Sequence, residues 1–263
     1  MALGNPAQLQ DLSLPRQMGA AMHQVCVIVT VFNGQTYLRG ALESVVQQVY
    51  RPLQLVVVDD GSTDESAAIA RSFPEAVVIS QENQGVAGAR NTGIRASDAE
   101  VLAFLDADDF WEPTKLSLQM AFMDAHPEVE VAYGRFRQFL SPGQECPEWV
   151  DASSLEQLDA GYSPLPSTLA VRRSAFERVG LFDPAFRNCD DLEWYFRVRS
   201  AGVRMALVEE AVTHRRVHPD NLSHQSQRDR QPIILQLARA RVRWQRNPRP
   251  APEVVLPPRG IHA

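Results

Sequence analysis

The stretch LAFLDADDFW, residues 102–111, runs an apolar segment straight into Asp106, Asp108 and Asp109. Carboxylates this close repel one another, so they cost stability unless a cation, hydrogen-bond donors or open water compensates. Asp106 and Asp108 are alternate residues of an extended chain and fall on one side of it. They form a hard-oxygen pair suited to Mg²⁺ or Mn²⁺, which take a few carboxylates and fill their other positions with water and substrate phosphate. An acidic turn in solvent, or Asp108 capping a helix that starts near Pro113, explains the same residues without a ligand. A second apolar run, LQLVVVDD (53–60), also ends in acids, Asp59 and Asp60.

The elements that must carry these acids follow from periodicity. VCVIVTVF (25–32) and LQLVVVDD are β-rich runs of the kind buried on both faces of a parallel sheet. TYLRGALESVVQQV (36–49) spaces Leu38, Ala41, Leu42, Val45, Val46 and Val49 as a helix. Ser62 and Glu65 form a capping-box pattern, which predicts a helix over 62–73. AVVIS (76–80) is a short strand, a helix is expected from Ala87, VLAFLD is the next strand, and PTKLSLQMAFMDAH the next helix. Strand and helix alternate to about residue 126, which predicts an α/β fold with a mostly parallel central sheet and helices on both faces. Ligands of such sheets sit beyond the carboxyl ends of the strands. Asp59, Asp60, Asp106 and Asp108 therefore should face one crevice.

The second half predicts a strand over 129–139, a long irregular connection, and a strand running into a short helix closed by Gly180. A helix NCDDLEWYFRVRSAG follows, with Leu192, Tyr195, Phe196 and Val198 as its apolar side, then paired strands in MALVEEAVTHRRVH. This smaller subregion should wall the other side of the crevice.

At 263 residues the chain suits one decorated domain. Its net charge of −6 argues against nucleic acid as a partner. Cys26, Cys146 and Cys189 lie far apart, which suits reduced thiols in a cytoplasmic setting; Cys189 is given only a packing role. No window is apolar enough for a membrane span. Residues 1–23 read as a flexible leader without a secretory pattern. The extension 221–263 is basic and Pro-rich: RDRQPIILQLARARVRWQRNPRP carries seven arginines against one aspartate. Its pattern suits an amphipathic helix in peripheral contact with an anionic bilayer, a helix packed on the domain, or a dimer contact.

VCVIVTVFNG, VVVDDGSTDES, NQGVAGARNTGI and LAFLDADDFWEP, in this order and spacing, resemble the family 2 glycosyltransferases of GT-A fold. FDPAFRNCDDLEWYFRV continues the likeness, which covers about residues 25–220. The resemblance implies a domain over 24–220, with a nucleotide-binding half (24–126) and an acceptor and base half (127–220). It implies an inverting, metal-dependent transfer of a sugar from a nucleotide-diphosphate donor (UDP, GDP or dTDP) to a glycan or lipid-linked acceptor. Thr30, Phe32 and Asn33 would flank the nucleotide, and Asp60 would bond the base or ribose; without a ligand, Asp59 or Asp60 is only a turn-former with Gly61. Arg90 would lie near the diphosphate or sugar, and Asn91 would brace its loop. Asp106 and Asp108 would hold Mg²⁺ or Mn²⁺, with Asp109 a supporting partner and His218 either completing the metal shell or serving structure.

The same resemblance makes Asp191 the base for the acceptor hydroxyl. Asp190 stands where glutamate is usual, and could leave Asp191 as base or compete with it; two acids opening a helix are also favourable with its dipole alone. The rivals are an inactive sugar-nucleotide-binding protein of the same fold and a DxD phosphotransfer enzyme. The latter wants Gly-Thr or Gly-Ser after the second acid, where Asp109-Phe110 stands. A dinucleotide oxidoreductase would need GxGxxG after the first strand, where the chain has Thr-Val-Phe-Asn-Gly.

Overall fold

The computed structural model describes residues 23–148, 150, 155, 158–159, 165–187, 189–219 and 221. Of the leader expected over residues 1–23 all but His23, and of the basic extension expected over 221–263 all but Asn221, lie outside the described residues.

The first strand, β1 (Val25–Val31), is buried along its whole length. Its odd residues Val25, Val27, Val29 and Val31 pack into one core and its even residues Cys26 and Ile28 into another. That alternation requires cover on both faces, and the crossover helices supply it. Helix α1 (Leu38–Val46) closes the first face, with α4 (Lys115–Ala125) beside it through Leu116, Met120 and Met123. On the second face lie α3 (Gly85–Arg95), α5 (Arg173–Val179) and α6 (Asp190–Ser200), through Ile94, Phe176, Trp194 and Val198.

Strands β2 (Leu53–Asp59), β3 (Ala76–Ser80) and β4 (Val101–Asp106) join β1 in the parallel order β3-β2-β1-β4. Helix α2 (Ser66–Arg71) connects β2 to β3. The sheet then continues without a break. β8 (Leu169–Arg172) runs antiparallel to both β4 and β6 (Val131–Leu140). Next to β6 lies β9 (Met205–Val217), parallel to it, and β9 pairs in turn with the two-residue β5 (Phe110–Trp111). The short β7 (Leu158–Asp159) pairs with β6 off this path. No helix among the described residues is long and apolar enough to cross a membrane.

Helix α3 lies hard against β1. A Cβ on Gly93 would come within 2.3 Å of Ile28 Cγ2, so only glycine permits this approach. The approach matters because Arg90 and Asn91 ride on the same helix.

Four expectations need correction. The 62–73 helix begins at Ser66, and the capping box is not formed. Ser62 Oγ instead accepts the Asn33 N–H (2.9 Å), and Asp64 Oδ1 accepts the Ser66 N–H (3.0 Å). Local caps lost to side-chain bonds that tie this turn to the loop after β1. The third helix starts at Gly85, two residues before Ala87. Along α6, Leu192 is exposed while Glu193 and Arg197 are buried together as an ion pair (2.8 Å). The expected paired strands over 205–218 are one strand, β9, whose register on β6 jumps between Gly134↔Val208 and Arg135↔Val212. The chain bulges at 209–211, and a Cβ on Gly134 would come within 2.1 Å of the Ala211 carbonyl oxygen.

Candidate functional site

The carboxyl ends of β1, β2 and β4 meet at one edge, where Thr30 is in register with both Val58 and Asp106. Thr30 is buried and Phe32, just beyond the strand, is exposed. Asn33 takes a left-handed turn (φ 51°) that asparagine tolerates. Its Oδ1 accepts the Thr63 N–H (2.8 Å), so Asn33 holds the loop after β1 to the loop after β2. Asp59 is a turn-former: its Oδ1 accepts the Ser62 N–H at 3.1 Å. Asp60 is buried, and its Oδ1 accepts from Gln81 Nε2 (2.7 Å) and the Gln84 N–H (2.9 Å). The other oxygen of Asp60 has no hydrogen-bond partner among the described residues.

The three aspartates after β4 have three different surroundings. Asp106 Oδ1 pairs with Arg90 Nη2 at 2.8 Å, and its N–H donates to Ser167 Oγ (3.1 Å). Asp108 Oδ2 meets His218 Nε2 at 2.9 Å and accepts from Asn221 Nδ2 at 3.0 Å. Asp109 is buried, with Oδ1 accepting the Arg216 N–H (3.0 Å). Burial, with the charges of Asp108 and Asp106 beside it, pushes its carboxyl well above the usual range. Asp109 therefore braces β9 against the turn.

Arg216 completes that brace. Its Nε donates to the Asp108 carbonyl (3.0 Å), and its guanidinium sits between the rings of Tyr37 (4.7 Å) and Phe139 (4.5 Å). His218 also packs on Tyr37, ring centroids 4.9 Å apart, so Arg216 and His218 share the face expected for alternate strand residues. Sequence reasoning missed Asn221, which accepts the His218 N–H (2.7 Å) as well as gripping Asp108. The only signal was the turn composition of His-Pro-Asp-Asn. Ser167 and Tyr37 were missed for the same reason, since each meets the site across the fold.

Among the described residues no three His, Cys, Asp or Glu side chains form a ready cage for a metal ion. The donor set nevertheless fits a hard divalent cation that shares its shell with phosphate and water. Asp106 and Asp108 each keep one oxygen, Oδ2 and Oδ1, without a hydrogen-bond partner among the described residues, whereas His218 Nε2 is engaged by Asp108.

On the opposite wall, Arg90 reaches from α3 to the start of α6. Its Nη1 meets Asp190 Oδ2 at 3.0 Å while Nη2 holds Asp106, so one buried guanidinium joins the two walls. Burial alone would lower the Arg90 pKa, but Asp106 and Asp190 outweigh it and raise it. Asn91 lies within α3 and braces the approach to α6 rather than its own loop: its Nδ2 donates to the Phe182 carbonyl (2.7 Å) and its Oδ1 accepts the Phe182 N–H (3.1 Å). Asp190 is buried, and burial raises its pKa against the pull of Arg90. Asp191 is half-buried at the helix start, with Oδ1 accepting the Leu192 N–H at 2.8 Å. Burial first, and the charge of Asp190 second, push its carboxyl up to about 6.

Known proteins carry the same architecture. A WfaP glucosyltransferase of Escherichia coli, described as acting from UDP-Glc on α-D-GlcNAc-diphosphoundecaprenol, is 26% identical over 210 residues, 77% of this chain and 80% of its own. An uncharacterized glycosyltransferase of Nostoc is 34% identical over 175 residues, which cover 61% of this chain; the chain spans only 54% of that protein's length. A mannosyltransferase of Pyrobaculum calidifontis, solved with GDP-Man and Mn²⁺, superposes over 89% of this chain and 67% of its own, with a TM-score of 0.67. At 21% identity that likeness is one of fold, the GT-A fold. The model of glycosyl transferase family 2 matches residues 26–161, from β1 through the DxD turn and into the connection after β6. Four ordered motifs on one sheet edge, and a family match over more than half of its length, make this chain a member of glycosyl transferase family 2.

Proposed function

We propose that the protein is an inverting, metal-dependent glycosyltransferase that moves a sugar from a nucleotide-diphosphate donor to a hydroxyl of a saccharide acceptor. The observation that carries this reading is the division of labour along Arg90. One of its amino groups holds Asp106, on the donor wall, and the other holds Asp190, while Asp191 acts on Arg90 by its charge without an ion pair to it. Asp190 serves as the counter-ion of Arg90, and Asp191 is the base.

In this reading Thr30 and the exposed ring of Phe32 flank the nucleotide, and the free oxygen of Asp60 meets the base or ribose. Asn33 acts by holding their loop. Mg²⁺ or Mn²⁺ bound at Asp106 and Asp108 would neutralise charge on the departing diphosphate. His218 acts here by orienting Asp108, and would be the further residue able to hold the cation. Asp191 takes the proton of the attacking hydroxyl on the face opposite the leaving group, which inverts the anomeric centre. With its carboxyl pushed up to about 6, it is ionised at neutral pH yet a better match to that proton than an ordinary aspartate. A lipid-linked sugar diphosphate as acceptor is supported by the substrate in the name of the WfaP relative. Contact of the basic extension with an anionic bilayer would bring the enzyme to such an acceptor.

Calorimetry with UDP and GDP tests the donor side: binding is expected in Mn²⁺ and should be lost in chelator. Equal affinity in both would remove the metal. Incubation with a panel of nucleotide sugars, read by mass spectrometry, tests the chemistry. Asp191→Asn is expected to bind donor and abolish turnover, and a variant with near-normal turnover would remove Asp191 as base.

A further inference from the structure

Beside Asp191, one donor lacks an acceptor and one acceptor lacks a donor. Tyr195 is 5% exposed, and its hydroxyl is buried with no hydrogen-bond partner among the described residues. It follows Asp191 by four residues on α6, so the two side chains share one helix face a single turn apart. Asp191 Oδ1 accepts the Leu192 N–H, while Oδ2 has no hydrogen-bond partner among the described residues. Asp190 is a poorer match for the hydroxyl, because its Oδ2 is held by Arg90 and it lies off that face. A buried hydroxyl left unpaired is costly, and in native proteins such groups call for an explanation in function or strain.

We propose that Tyr195 is a positioning residue for the base: in the working site its hydroxyl donates to Asp191 Oδ2. Burial and the Asp191 charge push the Tyr195 phenol well above its ordinary value, so it keeps its proton and remains a donor. The charges of Asp190 and Asp106 act on the phenol in the same sense and that of Arg90 in the opposite one. Each carboxylate oxygen carries two lone pairs. Held from the Leu192 N–H on one side and from Tyr195 on the other, Asp191 loses its rotational freedom and keeps lone pairs for the acceptor hydroxyl. Such orientation is worth rate without adding affinity. The proposal rests on Asp191 being the base.

A crystal structure of the full chain with UDP and Mn²⁺ is expected to have Tyr195 Oη within hydrogen-bond distance of the Asp191 carboxylate. Oη bonded to Asp190, to backbone or to water, or left unpaired, overturns the proposal. Tyr195→Phe removes only the hydroxyl, and Tm should be unchanged or raised. With the nucleotide sugar that the wild type turns over, kcat is expected to fall about tenfold at unchanged donor KM. Loss of a donor to the ionised carboxylate should also move the acid limb of the kcat/KM profile to higher pH, because Tyr195 acts through Asp191. An unchanged kcat, or a loss with the acid limb left in place, overturns the proposal, and a misfolded Phe variant would give that second result. Near-normal turnover by Asp191→Asn alone would instead remove the base, a separate failure.

Discussion

Asp191 and Arg90 set what single residues contribute. Because the Asp191 carboxyl is pushed up to about 6, the base form is lost as pH falls through that value. Initial rates between pH 5 and 8 should give a kcat/KM that drops tenfold per unit below about pH 6 and is level above about pH 7. A profile flat from pH 5 to 8 would count against Asp191. The same shift has an opposite sign for folding. A carboxyl whose folded pKa lies above its unfolded value costs stability when ionised, so Asp191→Asn should raise Tm at pH 7.5, with the gain gone near pH 4, where the acid is becoming neutral in both states. Arg90 works the other way. Arg90→Met leaves Asp190 buried without its counter-ion, and urea melts at pH 7 should register a loss of about 3–5 kcal/mol. A loss below about 1 kcal/mol would mean that the ion pair hardly contributes.

Among the elements, α4 conceals a similar liability. Lys115 is fully buried, its Nζ donating to Gln119 Oε1 (2.9 Å) over the Trp111 ring (3.9 Å), and burial pushes its amine well below the usual lysine range. Between the lowered folded value and the ordinary unfolded one, the unfolded chain binds more protons, so stability rises with pH. Lys115→Met should therefore stabilise the protein, by more at pH 7 than at pH 9.5, as urea melts at the two pH values would measure. An equal gain at both would argue that the amine is charged in the fold.

Elements were legible in the sequence where burial is two-sided. VCVIVTV and LQLVVVD announce strands because both of their faces must be apolar. The Ser62 cap failed because its partner, the Asn33 N–H, comes from another loop, and local patterns carry no record of such competition. The paired strands expected over 205–218 are one strand because Glu209 and Glu210 sit at a bulge, a jump in register on β6 that the local pattern does not record. The acids of the site were legible from type and spacing. Their partners were not: Arg90 joins Asp106 to Asp190 across a hundred residues of chain, and Asn221 reaches Asp108 from beyond the last strand.

At the scale of the whole molecule, charge is unevenly spread along an acidic chain, with the arginines of 228–250 against a net −6. Sedimentation with anionic liposomes at low salt should retain the full chain and should lose it on deletion of 228–263 or at high salt. Failure of the intact chain to sediment would end that role.

The two walls of the crevice belong to one continuous sheet, joined where β8 bonds to β4 on one side and β6 on the other. Arg90 fastens them again above that seam. Among the described residues no hinge separates the two walls. Substrates cannot be enclosed by one lobe swinging onto another, because that would break ladder hydrogen bonds and a buried ion pair together. Side chains and loops at the sheet edge are left to do it. Small-angle scattering with and without nucleotide and Mn²⁺ should thus give the same radius of gyration, and discrimination among acceptors falls to the rim of a rigid dish.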